Sequence, residues 1–103
     1  MSEVKTPPVK ATLFDDIDKV QAMPGAFEYY REGARFPAGM IFYCPCGCGK
    51  TGALAFRPHA SPSWEWNGNL EAPVLSPSVH DVGHWHGYLG GSDGSQPGVW
   101  VSC

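Results

Sequence analysis

Charge is scarce in this 103-residue chain: 17% of residues are Asp, Glu, Lys or Arg, and the net charge is −3 at neutral pH. The seven basic residues, Lys5, Lys10, Lys19, Arg31, Arg35, Lys50 and Arg57, are scattered. They form no stripe for a phosphate backbone to follow, so nucleic acid is not predicted as a partner. No apolar run is long enough to span a bilayer. The amino terminus, Met1 to Pro8, lacks the apolar stretch of a signal peptide, so the expectation is a cytoplasmic protein with no membrane association. Phosphate-binding glycine loops, paired-carboxylate signatures and a His-Glu-x-x-His helix are also absent. A disulfide framework is not expected either, although there are four cysteines. Cys44, Cys46 and Cys48 fall within five residues, and bridging any two would force a tight ring of poor geometry. Only the distant Cys103 could pair with one of them.

What the chain does have is a foldable composition: 43% apolar and 13% aromatic residues, including four Trp. A chain this small buries only about two-thirds of its unfolded surface, so its core is thin. The 13 Gly and 10 Pro punctuate it every few residues and leave room for one short helix and several short strands. Residues 1–11, with Pro7-Pro8, read as a flexible arm ahead of a single domain over 12–103. Leu13, Phe14, Ile17 and Val20 fall at helical spacing behind Thr12 as cap, with Asp15 and Asp16 near the positive end of the dipole. A short amphipathic helix is therefore predicted, ending before Pro24-Gly25. Residues 27–30 fit either a further helical turn or an irregular aromatic loop. Short strands are predicted over 39–44, 52–57, 63–67, 73–75, 84–89 and 98–102, the last two joined as an antiparallel hairpin. The fold class is mainly β (α+β), a small antiparallel sheet with one N-terminal helix.

The densest chemistry is the turn that holds Cys44, Cys46 and Cys48. Glycines free its backbone to gather thiolates, and zinc takes four ligands in a tetrahedron of Cys sulfur and His nitrogen. Residues two apart on a strand share a face, so His84 and His86 would present their imidazoles together, with Trp85 opposite. These five residues are the candidate zinc ligands, with His80 and Cys103 in reserve. His59 reads as an ordinary loop residue. Trp64 and Trp66 share a face opposite Glu65 and read as core aromatics. Ser76-Pro77-Ser78 reads as a turn, with no acid or base placed beside it by the sequence.

Several motifs in order carry a resemblance. They are Phe42 to Cys48 with its Cys-Pro-Cys-Gly-Cys run, Trp64-Glu-Trp-Asn-Gly68, Pro73-Val-Leu-Ser-Pro-Ser78, Gly83-His-Trp-His-Gly-Tyr-Leu89 and Gly98-Val-Trp-Val-Ser-Cys103. Over residues 39–103 the chain resembles a family of small proteins frequent in bacteriophages and prophages. Some of these bear the label ammonia monooxygenase, which the residues here do not support, and relatives also sit beside bacterial ubiquitin-like conjugation genes. The resemblance implies a compact β domain with a zinc site and no known reaction. Relatives often carry a Cys just before His-Trp-His, where this chain has Gly83. His84 or a third turn cysteine would then replace it, and His86 matches the family's histidine.

Three functions follow as expectations. The first is a structural zinc site supporting recognition of a protein partner, a host protein if the source is a phage. Zinc binding can supply about 10–16 kcal/mol, enough to decide whether a small domain folds. The second is a zinc-dependent hydrolytic enzyme with an open metal position and Glu65 or Asp81 as general base. The third is a Rieske-like iron-sulfur electron carrier, disfavoured because the thiols sit in one segment and the imidazoles in another.

Overall fold

The computed structural model describes residues 5–21, 23–31, 37–57, 63–81 and 83–103. Among them ten strands form in chain order: β1 (Val9–Lys10), β2 (Thr12–Leu13), β3 (Ala26–Tyr30), β4 (Gly39–Tyr43), β5 (Thr51–Ala55), β6 (Glu65–Trp66), β7 (Leu75–Ser76), β8 (Val79–Asp81), β9 (Trp85–Leu89) and β10 (Val99–Ser102). They make a four-stranded sheet in the order β1-β10-β9-β8, a second in the order β2-β3-β4-β5, and a two-stranded β6-β7 ribbon. The first sheet is antiparallel throughout, including the expected β9–β10 hairpin. In the second, only β2 runs parallel to its neighbour β3. No helix among the described residues is long and apolar enough to cross a membrane.

Alternation builds the core. Along β9, Trp85, Gly87 and Leu89 are buried while His86 and Tyr88 are half-exposed, the pattern of a strand covered on one face. Trp85, Leu89 and Trp100 from the first sheet meet Phe27, Met40, Phe42 and Leu54 from the second in one buried cluster. Phe42 lies against Trp100 with ring centroids 4.9 Å apart, and Trp85 meets Trp100 edge to face at 5.9 Å. A tryptophan or phenylalanine buries roughly 150–250 Å², so these few rings dominate the cohesion of a small domain. Their polar atoms are satisfied. Trp100 Nε1 donates to the Gly25 carbonyl and Trp85 Nε1 to Thr6 Oγ1, each at 3.1 Å.

The N-terminal helix is not seen among the described residues. In its place β2 pairs with β3 and a single 3-10 turn spans Ile17–Lys19, with Asp16 Oδ1 accepting from Asp18 N at 2.9 Å. An isolated helix this short is marginal in water, and tertiary partners take its backbone groups instead. Glu28 Oε1 accepts from Ile17 N, while the Tyr43 hydroxyl donates to the Ile17 and Val20 carbonyls. Ile17 is still buried as the periodicity required, but Leu13 is exposed. Residues 27–30 resolve as part of β3, a central strand whose Phe27 faces the core. Val9 and Lys10, in the segment expected to be an arm, pair with β10. Arg35 and His59 lie outside the described residues.

Candidate functional site

The cysteine turn is the loop of the β4–β5 hairpin. Cys44 N donates to the Lys50 carbonyl at 2.9 Å and closes the loop, and Gly47 N donates back to the Cys44 carbonyl at 3.1 Å. Gly47 and Gly49 take φ of 86° and 82°, a region side chains avoid, which lets the chain turn tightly within this loop. As a result the three Sγ atoms lie within 4.8 Å of one another, and Cys44 Sγ is 3.2 Å from Cys46 Sγ. Cys44 is buried, Cys46 half-buried and Cys48 exposed, and Lys50 N donates to Cys48 Sγ at 3.4 Å. Tetrahedral zinc with Zn–S bonds of about 2.3 Å sets its sulfurs about 3.8 Å apart. The turn therefore fits a thiophilic ion with small adjustments. The group that could hold a metal consists of these three thiols alone among the described residues.

His86 stands elsewhere, on the outer face of the first sheet. β8 and β9 pair so that His80 opposes His86 and Val79 opposes Gly87. Ser78, two residues before His80, thus falls on the same face as both histidines and diagonal to His86. His86 Nε2 is 3.1 Å from Ser78 Oγ, and the His80 and His86 rings lie with centroids 4.5 Å apart, tilted by 36° to one another. Ser78 and His86 are half-buried and His80 exposed. The opposite face of β9 carries Trp85 and Leu89, both fully buried, so the strand under the pair is packed into the core. Ser78 is held from behind as well, because Trp64 Nε1 donates to its carbonyl oxygen at 3.1 Å. A hydroxyl within hydrogen-bond reach of an imidazole is the arrangement of an activated nucleophile and its base.

The structure thus brings Cys44, Cys46 and Cys48 together and sets His86 against Ser78. His84 lies half-buried in the turn that leads into β9. Cys103 N donates to the His86 carbonyl at 2.9 Å, which places the Cys103 backbone beside β9 rather than beside the thiol turn. Glu65 is exposed, its carboxylate 3.9 Å from Arg57 Nη1, and Asp81 opposes Trp85 in the β8–β9 ladder. Trp66 stacks on Phe56 at 5.0 Å, as a core aromatic would. Sequence reasoning missed Ser78 because β8 is only three residues long and follows a Ser-Pro-Ser turn. The available signal was the repeated alternation on either side of Gly83. Ser78-Val79-His80 before it and Trp85-His86 after it belong to a hairpin in which Ser78, His80 and His86 share one face.

Two cavities are lined by strand neighbours of the pair, and not by Ser78 or His86 themselves. One of about 160 Å³ is walled by Gly52, Ala53 and Leu54 of the β5 edge and by Trp64, Val79 and His80. The other, of about 260 Å³, lies between Ser76, Tyr88 and the 91–94 loop. In that loop the hydrogen bonds from Ser95 hold the Asp93 carboxyl below the usual carboxylate range.

Neither the curated proteins nor the solved structures contain a match to this chain. A family model does match, from the segment before β3 through the loop before β10, a stretch that includes the thiol turn, Ser78 and His86. It is described as bacterial ubiquitination-like system serine protease (BubE), and since it matches residues 14–95, most of the sequence, the chain belongs to that family.

Proposed function

We propose that this chain is a serine peptidase of a bacterial ubiquitination-like system, with Ser78 as nucleophile and His86 as general base. The observation that carries the reading is the 3.1 Å contact between Ser78 Oγ and His86 Nε2, which agrees with the serine-protease description of the family. With the proton of neutral His86 on Nδ1, the Ser78 hydroxyl donates to Nε2. Oγ then attacks a peptide carbonyl carbon as its proton passes to Nε2, giving a tetrahedral oxyanion. Collapse expels the amine, which takes the proton back from Nε2, and leaves an acyl ester on Ser78. Water, deprotonated by the same nitrogen, hydrolyses that ester. His80, its ring 4.5 Å from that of His86, would limit the rotation of the imidazole.

The thiol turn has a separate, structural role in this reading. Cys44, Cys46 and Cys48 would supply three of the four positions of a zinc ion, which would clip the end of the β4–β5 hairpin. The chemistry of three converging thiols supports the metal.

The test is phosphonylation by a small fluorophosphonate probe, read by mass spectrometry. Covalent modification at Ser78, absent in Ser78→Ala and strongly slowed in His86→Ala, is the expected result. A parent protein that stays folded and takes no label at Ser78 would sink the catalytic reading.

A further inference from the structure

Whatever Ser78 cleaves must lie extended across it, and the main chain beside Ser78 has one edge suited to hold such a segment. Along β5, backbone groups alternate between the β4 side and the outside. Cys44 N donates to the Lys50 carbonyl and Phe56 N to the Ala38 carbonyl, so even-numbered residues bond toward β4. Odd-numbered residues face away. Trp64 N donates to the Ala55 carbonyl and Arg57 N to the Trp64 carbonyl, so a passing segment already pairs with the outer edge at its far end. The next outward positions are Ala53 and Thr51, both exposed, and β5 is the terminal strand of its sheet among the described residues. The edge opens directly into the cavity of about 160 Å³ bounded on its far side by Val79 and His80. Trp64, which lines that cavity, is the residue that bonds the Ser78 carbonyl.

We infer that the outer edge of β5 at Thr51 and Ala53 is the substrate-binding strand, pairing by main-chain hydrogen bonds with an extended segment of the substrate peptide and laying it toward Ser78. The inference rests on the Ser78–His86 reading and adds to it where the peptide binds and in what conformation. Two observations favour an extended peptide as occupant. The edge already carries a bridge at Trp64, and its outward positions include the small, exposed Ala53, which leaves the backbone approachable. Strand addition of this kind takes its affinity from the peptide backbone, so recognition would tolerate varied side chains.

Proline separates this role from folding. It removes an N–H, and an edge strand accepts it where that N–H points outward. Ala53→Pro should therefore fold, keep the parent rate of fluorophosphonate labelling at Ser78, and lose at least tenfold in cleavage of a mixed pool of synthetic decapeptides. Thr51→Pro, at the first residue of the strand, is a second variant should Ala53→Pro fail to fold. Parent-like cleavage by a folded proline variant would overturn the inference. So would a parent that labels at Ser78 yet cleaves no peptide of the pool, and here the nucleophile would stand while the edge fell. Absence of labelling in the parent would remove the catalytic reading and the substrate strand with it. If Ala53→Pro instead turned a dimer into a monomer, the edge would belong to a second copy of the chain, and the inference would fail.

Discussion

The thiol turn and the Ser78–His86 face are both built on β-hairpins, yet they obtain their geometry from different parts of them. In the β4–β5 hairpin the working atoms sit in the loop. The spacing of Cys44, Cys46 and Cys48 and the left-handed backbone at Gly47 and Gly49 set the sulfurs together within the loop. In the β8–β9 hairpin they sit on the ladder. The distance from Ser78 to His86 depends on the register that puts His80 opposite His86, and a slip of one residue would turn His86 into the core and Trp85 out of it. A loop site is therefore forgiving of the sheet and sensitive to glycine. A ladder site is sensitive to anything that moves a strand.

The largest expected effects separate the two regions chemically. His86→Ala should slow modification of Ser78 by roughly 10²–10⁴-fold, the usual worth of a general base, and Ser78→Ala should abolish it. Cys46→Ser should leave labelling near the parent rate while the protein remains folded. A Cys46→Ser variant that is folded but unlabelled would show that the two regions are one site.

Metal removal comes next. Structural zinc can contribute an appreciable share of a small domain's stability, so a chelator should lower the urea midpoint of the parent by an amount worth several kcal/mol. Zinc content, measured directly, should be lost in Cys46→Ser and kept in His84→Ala, which separates thiol ligation from the imidazole ligation expected of the sequence. An unchanged midpoint and no zinc in the purified protein would end the metal proposal.

A smaller effect probes the register. A Cβ at Gly87 would run into the Val101 carbonyl oxygen and the Trp85 ring. Gly87→Ala should cost about 1–3 kcal/mol in denaturant unfolding, the range for overpacking. Because Gly87 follows His86, labelling of Ser78 should fall as well. Normal labelling with normal stability would mean that the ladder is more tolerant than its packing indicates.

The smallest concerns the second sheet. The Tyr29 hydroxyl donates to the Leu70 carbonyl at 2.8 Å and to the Asn69 carbonyl at 3.3 Å, and burial pushes its phenol above the ordinary tyrosine range. A folded-state value above the unfolded one means that the native state holds its proton longer. The contribution is complete below about pH 10, the unfolded tyrosine value, and is lost as pH rises beyond it. Tyr29→Phe should cost about 1 kcal/mol at neutral pH and flatten the alkaline limb of the stability curve. A limb equally steep in the variant would assign it to other groups.

Much of the β architecture was legible. The alternation of residues 84–89 and 98–102 matched β9, β10 and their hairpin because each strand has one buried face and long enough to show a period of two. β1, β2 and β8, two or three residues each, are shorter than any window in which periodicity can be recognised. The predicted helix between the Thr12 cap and Pro24 failed for a related reason. Its apolar spacing was real, but pairing with β3 and side-chain contacts from Glu28 and Tyr43, distant in sequence, outweighed a marginal local preference. Ser78 was hidden for the same cause, because its partner is recognisable only once β8 and β9 are in register.

What the residues determined by themselves were the gathering of three thiols in one glycine-rich turn and the faces of the longer strands, since both depend on neighbours within a few positions of the chain. Which side chain His86 touches was left to the tertiary structure. The sequence puts His86 near several possible partners, and only strand pairing over the buried Trp85 and Trp100 settles which hydroxyl comes within 3.1 Å of its ring.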